Sequence, residues 1–335
     1  MIRILLIAFL SAGLQAQTPL VGDINLYGLR RTSADKVLAT LNVKPGDPLP
    51  PSKGDLEDRL ETLPNVVLAR VTAVCCEGGK AMLFAGVEEK GAAHFALRSA
   101  PSGDVVLPED FTTLYRRLLE AVESAVRRGS TAEDLTQGHA LMADPAARAV
   151  ELEIAAWVKD HLALTRDILR NASDEDQRAI AAAIIGYAPD KKAVLDDLQF
   201  AMQDPDEAVR ANAMRSMTAV AVLAAKNPDQ NLKLSPTWFA EMLNSIVLSD
   251  RLKATEALIT LSESRPPELL QLLRERALPA LTEMARWNSL RYALPPFILL
   301  GRVAGLSEDD IQARWKKGER EQVIGNVLGP KPRRK

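Results

Sequence analysis

Cysteine is scarce in this chain, two among 335 residues, which excludes a small domain stapled by disulfides. Histidine is almost as rare. His94, His139 and His161 stand in no pattern with Cys, Asp or Glu that fixes a metal ion or a nucleophile. Carboxylates are plentiful, but helical surfaces always supply them, so their spacing argues for no acid and base pair. Aromatic residues make up 4% of the chain, low for a sheet-rich protein and for a surface that stacks sugars or bases. Neither sign of charge dominates. With 42 basic and 44 acidic side chains and a formal charge of -2, no global field steers the protein to nucleic acid or to an anionic membrane. A phosphate-cradling glycine loop is missing too, because "EGGK" reads as a hairpin turn and "YGLRR" as the end of a strand. No catalytic residue, metal ligand or cofactor site is therefore expected.

What is present favours helices: Ala, Leu, Glu and Arg abound, 47% of residues are hydrophobic, and the length suits about two domains. The first residues, "MIRILLIAFLSAGLQAQ", carry a positive charge at Arg3, an apolar run from Ile4 to Leu14 and a small residue at Ala16. That is the layout of a secretory signal over residues 1–16, with a retained anchor as the alternative. After it, no apolar run approaches the ~20 residues of a membrane helix, so no integral span is expected in the mature chain. An exported protein meets an oxidising compartment. Cys75 and Cys76, adjacent in "TAVCCEGGK", then have three readings. One thiol packs as a small apolar residue while the other is incidental, the two close a vicinal bond, or one bonds a second copy. Two adjacent thiolates lack the spacing and the further ligands that zinc requires.

From Val21 to Leu29, Ile24, Leu26 and Gly28 alternate with Asp23, Asn25 and Tyr27, the period of a half-buried strand. Thr32 or Ser33 can cap the helix that follows, on which Val37, Leu38 and Leu41 share a face. "KPGDPLPPSK" breaks it, and Leu56, Leu60 and Leu63 mark a second short helix. "VVLARVTAVCC" and "AMLFAGVEEK", joined by "EGGK", form an antiparallel hairpin. The predicted order is strand, helix, helix, strand, strand.

That order, with "INLYGLRRTSADKVLATLNVKPGDPL", "LETLPNVVLARVTAV" and "LFAGVEEK", resembles the POTRA domain, the polypeptide-transport-associated module of bacterial outer-membrane assembly and secretion proteins. The resemblance covers residues 21–90 and rests most on "GLRRT" and "GDPL". It implies no catalytic residues, a place in the envelope of a Gram-negative-type bacterium, and recognition by strand addition to an exposed sheet edge. The edge expected to bind is the strand from Val66 to Val74, through Val66, Leu68, Arg70 and Thr72. The alternative is that the chain's own helical part covers it. Such domains usually accompany a membrane barrel or a membrane helix, and the rest of this chain reads as neither.

Residues 91–108, rich in Ala, Gly, Ser and Pro, read as a linker and a plausible hinge. From Glu109 to about residue 328 nearly everything reads as helical, and a basic tail over residues 329–335 reads as disordered. From about Val158 the chain repeats loosely. "LTRDILRNASDEDQRAIAAAIIGYA" and "VLDDLQFAMQDPDEAVRANAMRSMTAVAVLA" each hold an apolar helix, an acidic turn and an Ala-rich helix carrying arginine. Asp174 precedes Arg178 by four and Asp206 precedes Arg210 by four, so each acid can cap its helix at the positive end of the dipole. These units resemble HEAT repeats, helix pairs that bury their faces only by stacking. Two looser units follow, in which Lys253 replaces the arginine and Asn288 stands where an acid is expected. The whole reads as α+β, a small β-α-α-β-β unit followed by an all-α solenoid. The expected function is that of an exported, non-enzymatic scaffold with protein partners in the cell envelope and no nucleic acid. Two alternatives stand beside it: an enzyme with its site in the concavity of the repeats, and a redox or dimerisation element at Cys75 and Cys76.

Overall fold

The structure, a computed structural model, describes residues 18–92 and 96–329. The expected signal segment, His94 and the tail from Lys331 to Lys335 lie outside the described residues. The fold is α+β: a three-stranded sheet near the amino terminus with helices after it. Strand β1 (Val21–Tyr27) is followed by α1 (Ala34–Leu41), α2 (Lys53–Glu61), β2 (Val66–Glu77) and β3 (Lys80–Glu89). Helices α3 (Glu109–Arg127), α4 (Pro145–Asp160), α5 (Leu162–Asn171), α6 (Glu175–Ile185), α7 (Leu195–Ala201) and α8 (Glu207–Lys226) come next. The chain then continues through α9 (Thr237–Met242), α10 (Leu248–Leu261), α11 (Pro267–Arg276), α12 (Leu278–Ala285), α13 (Leu290–Val303), α14 (Glu308–Lys316) and α15 (Arg320–Leu328).

Local chemistry fixes the small unit. The Ser33 hydroxyl accepts from the Lys36 N–H and the Ser52 hydroxyl from the Asp55 N–H, so a side-chain cap starts each short helix. Val37 and Leu41 are buried, whereas Leu38 turns to solvent. Gly78 and Gly79 both hold positive φ, 57° and 77°, as a two-residue hairpin turn requires. The sheet order is β1-β3-β2, with β1 parallel and β2 antiparallel to β3.

Because β3 is central, its two faces meet different partners. Leu83, Ala85 and Val87 pack with α1 and α2 through Val37, Leu41, Leu56 and Leu60. On the other face, Met82 and Phe84 join the main core of the helical array. The sheet is thus a middle layer, with its own two helices on one side and the array on the other.

Between residues 96 and 108 the chain is tied to the helices. The Arg98 N–H donates to the Gln203 carbonyl (2.8 Å), Gly103 and Asn171 to Ser173 bond both ways, and the Leu107 N–H donates to Gln177 Oε1 (2.7 Å). Arg98 also lies over the Phe200 ring, 3.3 Å from its centroid. The segment from Glu109 onward also holds a two-stranded hairpin of β4 (Glu133–Asp134) and β5 (Leu141–Met142) and short 3-10 turns at Lys192–Val194 and Pro228–Gln230. In the array α6 packs on α8, α8 on α10 and α10 on α13. Val209, Ala213, Met217 and Val220 are buried along α8, and Ala224 is half-buried. Among the described residues no helix is long and apolar enough to cross a membrane.

Candidate binding site between the sheet and the helices

The array docks on the outer edge of β1. Trp287 Nε1–H donates to the Leu26 carbonyl (3.0 Å), Asn288 Nδ2–H to the Ile24 carbonyl (3.2 Å), and the Asn288 N–H to Asn25 Oδ1 (2.7 Å). The Tyr27 hydroxyl donates to the Ile246 carbonyl (2.9 Å) and the Gly28 N–H to Glu283 Oε2 (3.0 Å). Trp287 lies edge-on to Tyr27 and Phe84, with centroids 6.0 and 5.1 Å away. Asn288 replaces an expected repeat acid because it serves the strand instead.

The other edge is β2, the strand on which Val66, Leu68, Arg70 and Thr72 are expected to meet a partner. It is the N–H groups of Ala69 and Val71 that point away from β3, and they donate to Glu61 Oε1 (2.9 Å) and Glu57 Oε1 (2.8 Å) of α2. Strand alternation then turns the N–H groups of Leu68, Arg70 and Thr72 inward to β3. The chain covers this edge itself, with two carboxylates one helical turn apart, in the way edge strands are commonly blunted. One turn before Glu57 stands Lys53, whose side chain carries no acceptor.

Cys75 and Cys76 are bonded to each other and both are exposed, so neither packs as a small apolar residue. Among the described residues no cluster of His, Cys, Asp and Glu could hold a metal ion. No tryptophan is exposed. Trp157 stacks on His161, whose Nδ1 meets the Trp157 carbonyl (2.8 Å), Trp315 packs on Phe297, and Trp238 packs against the core.

The repeat residues hold the array together. Asp174 and Asp206 cap α6 and α8 through their side chains. Arg178 and Arg210 do not pair with those caps but reach into the next unit. Arg178 forks onto Asp204 (3.0 and 3.0 Å) while its Nη1 donates to the carbonyls of Ala172 and Ser173. Arg210 forks onto Asp250 and donates to the carbonyls of Asp204 and Pro205. In both, the carbonyls are those six and five residues earlier. Arg251 continues the series, its Nε–H donating to the Ser245 carbonyl six residues earlier (2.6 Å). The third arginine is therefore Arg251 and not Lys253, which sits at the surface beside Glu256. The acids facing Arg210 and Arg251 are Asp250 and Glu283.

Arg178, Arg210, Arg251 and Arg302 are the buried arginines among the described residues. In Arg178, Arg210 and Arg302 every guanidinium nitrogen has an acceptor. Arg251 differs. It is 3% exposed, and its Nη1 is buried with no hydrogen-bond partner. The acid that would complete the rung, Glu283, comes within only 3.8 Å of Nη1, because its Oε2 accepts from the Gly28 N–H. The Tyr27 ring lies under the guanidinium, 4.6 Å from its centroid. Burial pushes the Glu283 carboxyl up, opposed by the Arg251 charge, and burial pushes Arg251 down.

This incomplete rung borders a cavity of about 530 Å³ between the sheet and the array. Gly28 to Arg30, Leu68 and Val87 contribute from the sheet, and Leu97 from the segment between the two parts. Arg210, Ile246, Val247, Arg251, Pro279 and Glu283 line the helical side. Its size falls within the range of ligand sites. The chain matches no family model and no curated protein.

Proposed function

We propose that this chain is a non-enzymatic interaction protein of a bacterial envelope, in which a POTRA-like unit and a HEAT-like array together present one cleft to a partner. The observation that carries this reading is the junction itself. The array seals the β1 edge, α2 covers the first outward N–H groups of β2, and the concavity left between them is lined from both parts of the chain. Strand addition at Leu68 is set aside in favour of this cleft.

An enzymatic reading draws on Glu283, a buried carboxyl with a raised pKa at a cavity wall. Its occupation by the Gly28 N–H speaks for a structural role. Site-specific photocrosslinking in a Gram-negative envelope tests the proposal, with the photoreactive side chain at Leu97 in the cleft or at Leu119 on the exposed face of α3. Adducts to a discrete envelope protein from Leu97 and not from Leu119 are expected. Equal labelling from both positions, or from Leu119 alone, sinks it.

A further inference from the structure

A guanidinium taken out of water is costly unless its N–H groups find acceptors. Three of the four buried arginines satisfy that condition within the chain, and the fourth does not. The reason is visible: the sheet takes the acid of the third rung, so that Glu283 serves the backbone of Gly28. Arg251 Nη1 is buried with no acceptor within hydrogen-bond reach, and the residue lines the cavity. Each such group in a folded protein calls for an account, and a ligand oxygen supplies one.

The charges around the cavity define that ligand. Asp250 accepts from Arg210 and from the Ser245 hydroxyl, Asp206 caps α8, and Glu283 is held by Gly28, so these acids spend their oxygens on this chain. Arg30 borders the same space with its side chain exposed. Arg251 and Arg30 thus face the space as donors, and a ligand that meets them must bring acceptors. A planar two-oxygen anion fits a guanidinium fork. Glu88 and Glu207 at the wall, with the acids already named, disfavour a dianion such as phosphate. Leu29, Leu97, Val247 and Pro279 supply apolar surface for the rest of the molecule.

We propose that the cleft binds a single carboxylate carried on an apolar body, with Arg251 as the group that recognises it and Arg30 as a second donor at its mouth. This rests on the cleft being the binding site. Two sources share the chemistry, the free carboxyl end of an apolar peptide and a small aliphatic acid.

Calorimetric titration of the full chain distinguishes them, using an acetylated apolar tetrapeptide as free acid and as terminal amide, and octanoate against octanamide. Binding of at least one acid, about tenfold or more tighter than its amide, is expected. Which acid binds identifies the source. Arg251→Lys keeps the charge and loses the fork, and should weaken the acid about tenfold while leaving the amide unchanged. Should that variant not fold, Arg30→Gln at the exposed mouth should weaken the acid a few-fold. Equal binding of acid and amide overturns the carboxylate and leaves the cleft standing. No binding of either acid while Leu97 still crosslinks a partner also overturns it. No binding and no crosslink from Leu97 removes both proposals.

Discussion

Glu283 lies 3.8 Å from Arg251 Nη1 but gives its Oε2 to the Gly28 N–H at 3.0 Å. One carboxylate thus balances a buried cation in the array and holds a backbone donor at the end of β1. Glu283→Ala removes both services and should cost about 3 kcal/mol, in the range for breaking a buried charged contact. Glu283→Gln retains a carbonyl oxygen for Gly28 and should cost less. Denaturant midpoints order the two variants, and hydrogen exchange at Gly28 should quicken only in Glu283→Ala. Equal midpoints for both variants and wild type would show that the junction does not depend on this residue.

The completed rungs behave differently from surface pairs. Arg210 and Asp250 are nearly free of solvent, so Asp250→Asn leaves a buried cation short of its counter-charge and should cost about 3–5 kcal/mol. Replacing both, Arg210→Met with Asp250→Leu, should recover much of that loss. Arg117 and Glu153 also fork, but in solvent, and Arg117→Ala should leave the midpoint unmoved. A double-mutant cycle at each pair checks the contrast. The idea fails if the two pairs couple equally.

The sequence made the elements legible where one period or one cap decided them. Ser33 before "ADKVLATL", the glycine pair before β3, and Asp206 before α8 each locate an element through a local rule. Long-range partners were out of reach. Nothing in the spacing of Arg178 says that its acid lies 26 residues on, or that Arg210 finds its own after 40. Arg251 was hidden behind Lys253, because the repeat was read from the surface charge and not from the carbonyls six residues back. The β4 and β5 hairpin was missed since two-residue strands carry no period. The cleft was invisible because it belongs to no single segment.

The covered edge of β2 yields a third expectation. Glu57→Leu with Glu61→Leu strips the acceptors from the Ala69 and Val71 N–H groups and lengthens the open edge. Each lost bond should cost about 1 kcal/mol, so the chain stays folded while its edge becomes a template for another strand. Light scattering should show concentration-dependent association in the double variant alone. Leu68→Pro, by contrast, removes an N–H from the internal ladder with β3 and should lower stability without exposing the edge. A monomeric double variant would mean that something other than the two carboxylates keeps the edge closed.

The last expectation concerns acid. Lys191 Nζ donates to the carbonyls of Gly186 (2.7 Å) and Ala188 (2.8 Å) and meets His139 Nδ1 (3.0 Å), an arrangement that requires a neutral imidazole with that nitrogen as acceptor. Burial, then the Lys191 charge, hold His139 down at about 4, with Asp134 pulling the other way and Arg148 adding slightly to the depression. Between pH 6.5 and 4 the unfolded chain binds the proton and the folded one does not, so stability falls as pH drops through that window. For a ring that is partly solvated the loss should be about 1–2 kcal/mol, less than the full shift converts to. Burial also lowers Lys191 to about 8, which adds stability as pH rises from there toward 10.5. His139→Asn keeps an oxygen for Lys191 and cannot protonate. Its denaturant midpoint should lose the part of the acid slope that belongs to His139 and keep the rise above pH 8. An unchanged acid slope in that variant would assign the sensitivity to the carboxylates of the array, and a lost rise above pH 8 would mean that His139 and Lys191 titrate as one unit.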